Sequence, residues 1–252
     1  MATRMDILAE LNLAPLWRRR AADVAPQVLA NPVAAPFANV TPVVTLSKGL
    51  SADELNARRA RIQALEWDAF AADVDACTAC GLCRTRNRSV PGVGDVRAEW
   101  LFIGEAPGAE EDARGEPFVG QAGRLLDSML AALGMNRRRN VYIANVLKCR
   151  PPGNRTPEPQ ESDACRPYLE RQISLVGPRL LIALGKSAAS LLLGTDASIA
   201  SLRGRVHSYQ GRPLVVTYHP AYLLRSLADK AKAWEDLVLA KRTVASLKRA
   251  GG

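Results

Sequence analysis

Four of the chain's five cysteines are spaced like the ligands of a metal centre. Cys77 and Cys80 form a C-x2-C pair, and Cys149 and Cys165 follow much later in the chain. One C-x2-C turn presents two thiolates to one centre, and a second pair completes coordination by four sulfurs. We therefore expect Cys77, Cys80, Cys149 and Cys165 to bind either an iron–sulfur cluster or zinc.

The residues between the two cysteine pairs favour a [4Fe–4S] cluster over zinc. Four thiolates suit both about equally in softness and geometry. A compact zinc ribbon would enclose few residues, whereas a whole predicted β-α-β unit separates the pairs here. Cys83 lies too close to Cys80 for both thiols to reach one site easily, so we interpret it as an ordinary buried or spare thiol.

Composition indicates a globular protein with an anionic partner. The chain has 252 residues, 48% of them hydrophobic, and 34 Lys and Arg against 25 Asp and Glu give a net charge of +9. Such a charge favours nucleic acid as the partner. No apolar run reaches membrane-spanning length and the N-terminus lacks a signal-peptide core. We expect a monomeric cytoplasmic protein without membrane contact, where a reducing environment keeps thiols available as ligands.

The N-terminal part differs in pattern from the rest of the chain. Residues 5–20 could form a short amphipathic helix that ends in three arginines, and the Ala- and Pro-rich residues 21–42 resemble a linker. Ser51 and Glu54 form a capping box that predicts a helix running toward Phe70 or beyond.

Beyond that helix, apolar strands alternate with helical patterns. This alternation predicts a three-layer α/β/α fold around a mostly parallel sheet. We expect two units, residues 1–70 and residues 71–252. The predicted strands are Glu99–Ile103, Val141–Val146, Arg179–Leu184 and a hairpin of Val206–Tyr209 with Leu214–Thr217. The predicted helices are Gln121–Leu133, a helix after Pro159 that Pro167 should kink or interrupt, one from Ser187, and one within Asp229–Arg249.

Three polar motifs follow the ends of predicted strands. Gly104–Gly108 follows the first strand, Asn145 lies at the end of the second, and His219 follows the last. Parallel sheets bind ligands outside the carboxyl ends of their strands. The sequence therefore predicts a site at this edge of the sheet.

The residue types in these motifs suggest acid–base chemistry on a planar ligand. Glycines around Glu105 let the backbone approach a ligand while the carboxylate keeps a fixed direction. The Walker spacing and its lysine are absent, so this is not a phosphate loop. Phe118, between glycines, is either a core residue or a platform on which a base stacks. His219 is one of two histidines and is suitably placed for catalysis.

In combination, the motifs closely resemble the family 4 uracil-DNA glycosylases. The resemblance spans roughly Cys77 to the last helix, and the cysteine spacing agrees with it. It implies a four-stranded parallel sheet between helices, a [4Fe–4S] cluster and the removal of uracil from DNA in base excision repair. The segments that carry it are Gly104–Gly108, Pro117–Gly120, Asn145–Pro152, Asn154–Arg155 and His219–Arg225.

The resemblance also implies roles for individual residues. Glu105 takes the acidic position of the first motif and His219 the histidine of the last, and both would be catalytic. Ala106, Phe118 and Asn145 would contact the base. Arg150, Arg155 and Arg225 would contact DNA, and Leu223 and Leu224 are candidates for the wedge that fills the vacated base stack. Cys77, Cys80, Cys149 and Cys165 would hold the cluster.

Three points stay open at this stage. Glu111 could share or take over the activation of water from Glu105. Relatives that trap DNA covalently carry a basic insert with an extra histidine near the second cysteine pair, and the segment after Cys149 has no histidine, so that variant is disfavoured. The alternative functions are an electron-transfer or redox-sensing protein and a non-catalytic nucleic-acid-binding module with structural zinc.

Overall fold

The computed structural model describes residues 51–250, and the predicted helix 5–20 and linker 21–42 lie outside them. The strands are β1 (Val93–Gly94), β2 (Trp100–Gly104), β3 (Val141–Asn145), β4 (Leu180–Leu184), β5 (Val206–Tyr209) and β6 (Arg212–Thr217). The helices are α1 (Ala52–Gln63), α2 (Trp67–Asp75), α3 (Ala109–Arg114), α4 (Gln121–Ala132), α5 (Pro159–Val176), α6 (Lys186–Leu193), α7 (Ile199–Leu202), α8 (Pro220–Leu223) and α9 (Lys230–Ala250).

Within residues 51–250 the strands form one mixed sheet in the order β1-β3-β2-β4-β6-β5. The central strands β3, β2, β4 and β6 are parallel, and β1 and β5 pair antiparallel at the two edges. The α/β class and the mostly parallel sheet are confirmed, but the predicted number of four strands is wrong. β1 has only two residues, too few to show a period, and β5 is the outer arm of the hairpin with β6.

Helices cover both faces of this sheet. Every residue of β2, β3 and β4 is buried, which explains why these strands appear in the sequence as continuous apolar runs. On one face Ile103 packs in a cluster with Ile173 of α5. On the other face Phe102 packs in a cluster with Leu126 of α4 and Leu237 of α9.

The predicted capping box at Ser51 is confirmed, since the Ser51 side chain accepts from the Glu54 amide and Glu54 accepts from the Ser51 amide. The helix that it starts ends at Gln63, and a second helix begins at Trp67. This break lets Trp67 and Phe70 pack edge to face with each other, while Phe70 also meets the Tyr168 ring of α5. The predicted boundary between residues 1–70 and 71–252 stays a prediction.

Helix α5 runs through Pro167, so the expected interruption is wrong, whereas the alternative of a kink stays a prediction. A proline inside a helix removes one hydrogen bond and crowds the preceding turn, and packing of the buried α5 residues can outweigh that cost. Of the helices described within residues 51–250, none is long and apolar enough to cross a membrane.

Candidate active site

The parallel strands end at a cavity of about 490 Å³. It lies at the carboxyl ends of the parallel strands, among the loops that follow β2, β3 and β6, where parallel sheets bind their ligands. Of the residues predicted to do chemistry, the structure brings Glu105, Phe118, Asn145 and His219 together there. The cavity is lined by Glu105, Ala106, Pro107, Gly108, Glu111, Phe118, Ala122, Asn145, Pro151, Asn154, Arg155, His219, Ala221 and Arg225.

Main-chain pairing sets Glu105 beside Asn145. Gly104 is the register partner of Asn145 in the parallel pair of β2 with β3. The ladder continues beyond both strands, because the Val146 amide donates to the Gly104 carbonyl at 2.9 Å and the Leu147 amide donates to the Glu105 carbonyl at 3.0 Å. The carboxylate and the amide therefore start from adjacent, hydrogen-bonded positions.

The Asn145 side chain is buried, and its oxygen has no hydrogen-bond partner among the described residues. It packs on Gly104, where a Cβ would overlap this oxygen and approach the Phe118 ring to 2.8 Å. A buried polar atom without a partner costs about 1–3 kcal/mol. A ligand that donates a hydrogen bond here would recover that free energy.

The Phe118 ring forms a wall of the cavity and is only 5% exposed. It stacks on the His219 ring with 5.5 Å between ring centroids and 30° between planes. The Phe118 backbone has φ of +55°, a left-handed conformation that costs a bulky residue about 1–3 kcal/mol. Contacts with neighbouring residues must therefore stabilise this backbone conformation.

His219 presents one defined ring nitrogen to the cavity. Its Nδ1 accepts a hydrogen bond from the Ala221 amide at 3.1 Å, so the neutral ring carries its proton on Nε2. Burial lowers the pKa of His219 to about 4; Glu111 partly opposes this shift and Arg225 adds to it. Near neutral pH the ring is an uncharged hydrogen-bond donor.

Glu111 has both carboxylate oxygens engaged by backbone amides. Gly108 donates to one at 3.1 Å and Val119 donates to the other at 3.2 Å. The acidic segment that follows Gly108 is helix α3, and Glu111 completes its capping box. Glu105 is half-buried in the cavity wall, and within residues 51–250 its carboxylate accepts no hydrogen bond.

The two leucines of the predicted wedge have different environments. Leu223 is 1% exposed and packs with Tyr218 and Ala233, so its role as a wedge stays a prediction that its burial does not favour. Leu224 is 40% exposed, and the next residue, Arg225, lines the cavity. Of the two predicted wedge residues, the structure therefore favours Leu224.

Two of the three arginines predicted to contact DNA, Arg150 and Arg155, have side-chain partners of their own. Arg150 donates to the Asn154 side chain at 2.7 Å. Arg155 lines the cavity but makes a two-pronged ion pair with Glu161 at 2.8 and 2.6 Å. This pairing holds the loop between Arg150 and α5 in place.

All five cysteines line a second, enclosed space beside the first. Cys77 follows α2, Cys80 precedes the 3-10 turn Gly81–Arg84, and Cys165 lies within α5. Cys83 lies in that turn and lines the same space. Cys149 and Ala106 share one apolar cluster, which joins this region to the first cavity.

The surroundings of the sulfurs fit a negatively charged sulfur-ligated group. Arg86 donates to Cys149 Sγ at 2.9 Å, and the Lys148 amide donates to Cys165 Sγ at 3.3 Å. Burial opposes thiolate formation, since it raises the pKa of Cys165 to about 12 and raises the pKa of Cys149, whereas Lys148 and Arg86 act in the opposite direction. Within residues 51–250, however, no three His, Cys, Asp or Glu side chains are grouped tightly enough to hold a single metal ion.

Two cations that the sequence did not single out support the cavity from behind. Lys148 is buried and donates from Nζ to the Asn145 carbonyl at 2.7 Å and to the Gln172 side chain. Burial lowers the pKa of Lys148 to about 8, while Cys165 and Cys149 oppose the shift. Arg137 binds the backbone of the Phe118 loop. It is one of three consecutive arginines, and nothing in the sequence distinguishes it from its neighbours.

Comparison with known proteins gives consistent results. Residues 91–238 match the family model of the uracil DNA glycosylase superfamily. The type-4 uracil-DNA glycosylase of Thermotoga maritima is 44% identical over 67% of this chain and 89% of its own. That of Pyrobaculum aerophilum is 45% identical over 65% of this chain and 87% of its own. The type-4 enzyme of Archaeoglobus fulgidus is 43% identical over 62% of this chain and 82% of its own.

Proposed function

Because the chain belongs to the uracil DNA glycosylase superfamily and to its type-4 branch, we propose that it excises uracil from DNA in base excision repair. It hydrolyses the bond between the base and the deoxyribose and leaves an abasic site. The observation that carries this proposal is one cavity in which a carboxylate, an unpaired amide oxygen, an aromatic ring and a neutral histidine meet.

Recognition begins with extrusion of the nucleotide, since the bond is inaccessible inside a duplex. The extruded uracil stacks on Phe118 beside Ala106. The Asn145 amide donates to uracil O4 and accepts from N3–H, which supplies the partner that its buried oxygen lacks. Leu224 fills the vacated stack, and Arg225, Arg150 and Arg155 contact phosphates.

Bond cleavage separates charge, and two residues match the two charges. Glu105 faces the sugar, where it stabilises the developing cation and orients or deprotonates the attacking water. His219 donates from Nε2 to uracil O2 as negative charge grows there. The low pKa of His219 means that it acts as a neutral donor. Both Glu111 oxygens already bind backbone amides, which supports Glu105 as the residue that handles water.

Cys77, Cys80, Cys149 and Cys165 would hold a [4Fe–4S] cluster. The bound cluster supplies four iron–thiolate bonds that cross-link distant segments of the chain. The N–H donors to Cys149 and Cys165 would stabilise the negative charge on these ligands. Since Cys149 lies four residues after Asn145 and directly after Lys148, the cross-link would fix the loop that leads from the base-reading residue to Arg150. A tetrahedral zinc site would need its sulfurs within about 4 Å of one another, and within residues 51–250 no three such ligands are grouped that tightly.

The proposal extends to the oligomeric state and the cellular location of the chain. The chain acts as a monomer, because the cavity within residues 51–250 already contains the carboxylate, the amide, the ring and the histidine of the mechanism. It acts in the cytoplasm, where reducing conditions keep thiols available as ligands.

The test is incubation of the purified protein with an oligonucleotide that contains one uracil, followed by alkali cleavage. We expect strand scission at the uracil and none in the matched thymine oligonucleotide. Iron analysis of the same sample should give about four irons per chain with a brown colour. Intact uracil oligonucleotide would refute the glycosylase, whereas cleavage by a colourless sample with about one zinc would refute only the cluster.

A further inference from the structure

The Phe118 ring is held in place by a backbone that does not favour it. Phe118 has φ of +55°, and its ring fits between His219 and the surface of Gly104. An aromatic residue released from its surroundings would return to negative φ and carry the ring out of the stack. The groups that impose this backbone therefore determine where a base can stack.

Arg137 contacts the carbonyl groups of this segment. Its guanidinium donates to the Pro117 carbonyl at 2.8 Å, to the Phe118 carbonyl, and to the Gly123 carbonyl at 3.4 Å. Asp127 accepts from its Nε and orients the plane. The side chain is only 16% exposed, so these bonds are largely shielded from water.

The amide side of the same segment is held from the opposite direction. The Val119 amide donates to Glu111, so the peptide groups on either side of Phe118 have fixed partners. Gly123 of α4 packs directly on the Phe118 carbonyl, where a Cβ would overlap it. Arg137 lies outside the cavity and touches neither of the groups assigned to the chemistry.

We propose that Arg137 is a positioning residue that holds the Phe118 ring in place as the stacking wall for the extruded base. The role rests on the proposed function, because the ring is useful only if a base enters the cavity. Arg137 acts through the Pro117 and Phe118 carbonyls, and Glu111 acts on the amide side. A lysine at this position has no planar fork, and its compact ammonium cannot reach the Pro117 and Phe118 carbonyls and Asp127 in the fixed geometry of the guanidinium.

The experiment compares Arg137→Gln with Arg138→Gln, which removes the same charge from the exposed neighbouring residue. We expect Arg137→Gln to slow single-turnover excision about 10- to 100-fold, as a displaced contact near the reacting centre does. Inhibition by free uracil should weaken in parallel, and Arg138→Gln should match wild type. Hydrogen exchange of the peptide covering residues 115–123 should speed up in Arg137→Gln alone. Arg137→Lys should recover only part of the rate.

A double-mutant cycle with Phe118→Leu separates positioning from general destabilisation. If Arg137 acts through the ring, Arg137→Gln should change the rate by less than about threefold in the Phe118→Leu background. A full additive loss in that background would overturn the proposal, as would unchanged exchange in residues 115–123. A wild-type protein that leaves uracil in DNA would refute the glycosylase function, and the exchange measurement would then decide the role of Arg137 by itself.

Discussion

Both ends of the parallel strands open into cavities, but their polar groups differ. At the amino end, a cavity of about 210 Å³ is bordered by Glu99, whose carboxylate accepts from Asn140 at 2.8 Å and pairs with Lys248 at 2.6 Å. Burial would raise the pKa of Glu99, but the bonds from Lys248 and Asn140 lower it. At the carboxyl end, the Asn145 oxygen is buried without a partner among the described residues.

This difference identifies the functional end better than cavity size does. A paired carboxylate stabilises the fold and has no capacity left for a ligand. A buried, unpaired oxygen costs stability until a ligand meets it, and such costs persist where function requires them. The following variants test whether that contrast holds, from the largest expected effect to the smallest.

Glu105→Gln should slow single-turnover excision by roughly 10² to 10³, because electrostatic stabilisation of a developing charge is worth about 2.7–4 kcal/mol. DNA binding should persist, since the side-chain shape is kept. The matched control is Glu110→Gln, an exposed acid outside the cavity lining. A Glu105→Gln rate within a factor of two of wild type would transfer the role to Glu111.

Asn145→Asp should reduce uracil excision about 10²-fold, because an acceptor would then face uracil O4 and one such unpaired contact costs about 1–3 kcal/mol. Cytosine would gain a partner for its N4 amine, although its N3 would still face an acceptor unless a proton is added. We therefore expect at most slow cytosine removal, more visible at lower pH. Single-turnover rates on both substrates across pH measure this. Unchanged uracil excision would show that Asn145 does not read the base.

His219 should remain neutral down to about pH 5, because burial lowers its pKa to about 4. A histidine in the unfolded chain has a pKa of about 6.5. As pH falls, the unfolded chain therefore binds a proton at this residue before the folded chain does. This contribution to the free energy of unfolding is complete above about pH 6.5 and is lost as pH drops toward 4. NMR titration of the two histidines measures the pKa of His219, and the variant His207→Gln assigns the signals. A His219 midpoint above pH 6 would contradict a neutral donor.

Lys248→Met at the amino end should leave the excision rate within a factor of two. Lys248 is half exposed, so loss of its pair with Glu99 should lower the free energy of unfolding by only about 0.2–1 kcal/mol. Urea denaturation measures the stability and the oligonucleotide assay measures the rate. A large loss of activity would show that the two ends of the sheet are not functionally distinct.

Much of the fold follows from apolar runs in the sequence. The strands around Phe102, Ile143 and Ile182 were located within one or two residues, since strands buried on both faces leave a continuous pattern. β1 was missed because two residues carry no period. The helix-breaking effect of Pro167 was overestimated, because a local rule about proline does not include the packing of α5.

The site was less accessible to sequence reasoning where tertiary contacts decide. The motifs gave the residues around the cavity, but Leu223 and Leu224 look identical in sequence and only the fold separates the buried one from the exposed one. Arg137 could not be chosen among three consecutive arginines. Likewise, Glu111 appears as a free acid in the sequence, and its backbone partners emerge only in three dimensions.

The pairing of Gly104 with Asn145 has a consequence for how the enzyme meets its substrate. Adjacent strands are about 4.8 Å apart, so backbone hydrogen bonds fix the spacing between the base-reading amide and the segment bearing Glu105. The protein therefore has little freedom to adjust, and most of the deformation during the encounter falls on the DNA. Capture then depends on how easily a base pair opens, so we expect uracil opposite guanine or in a single strand to be taken before uracil paired with adenine.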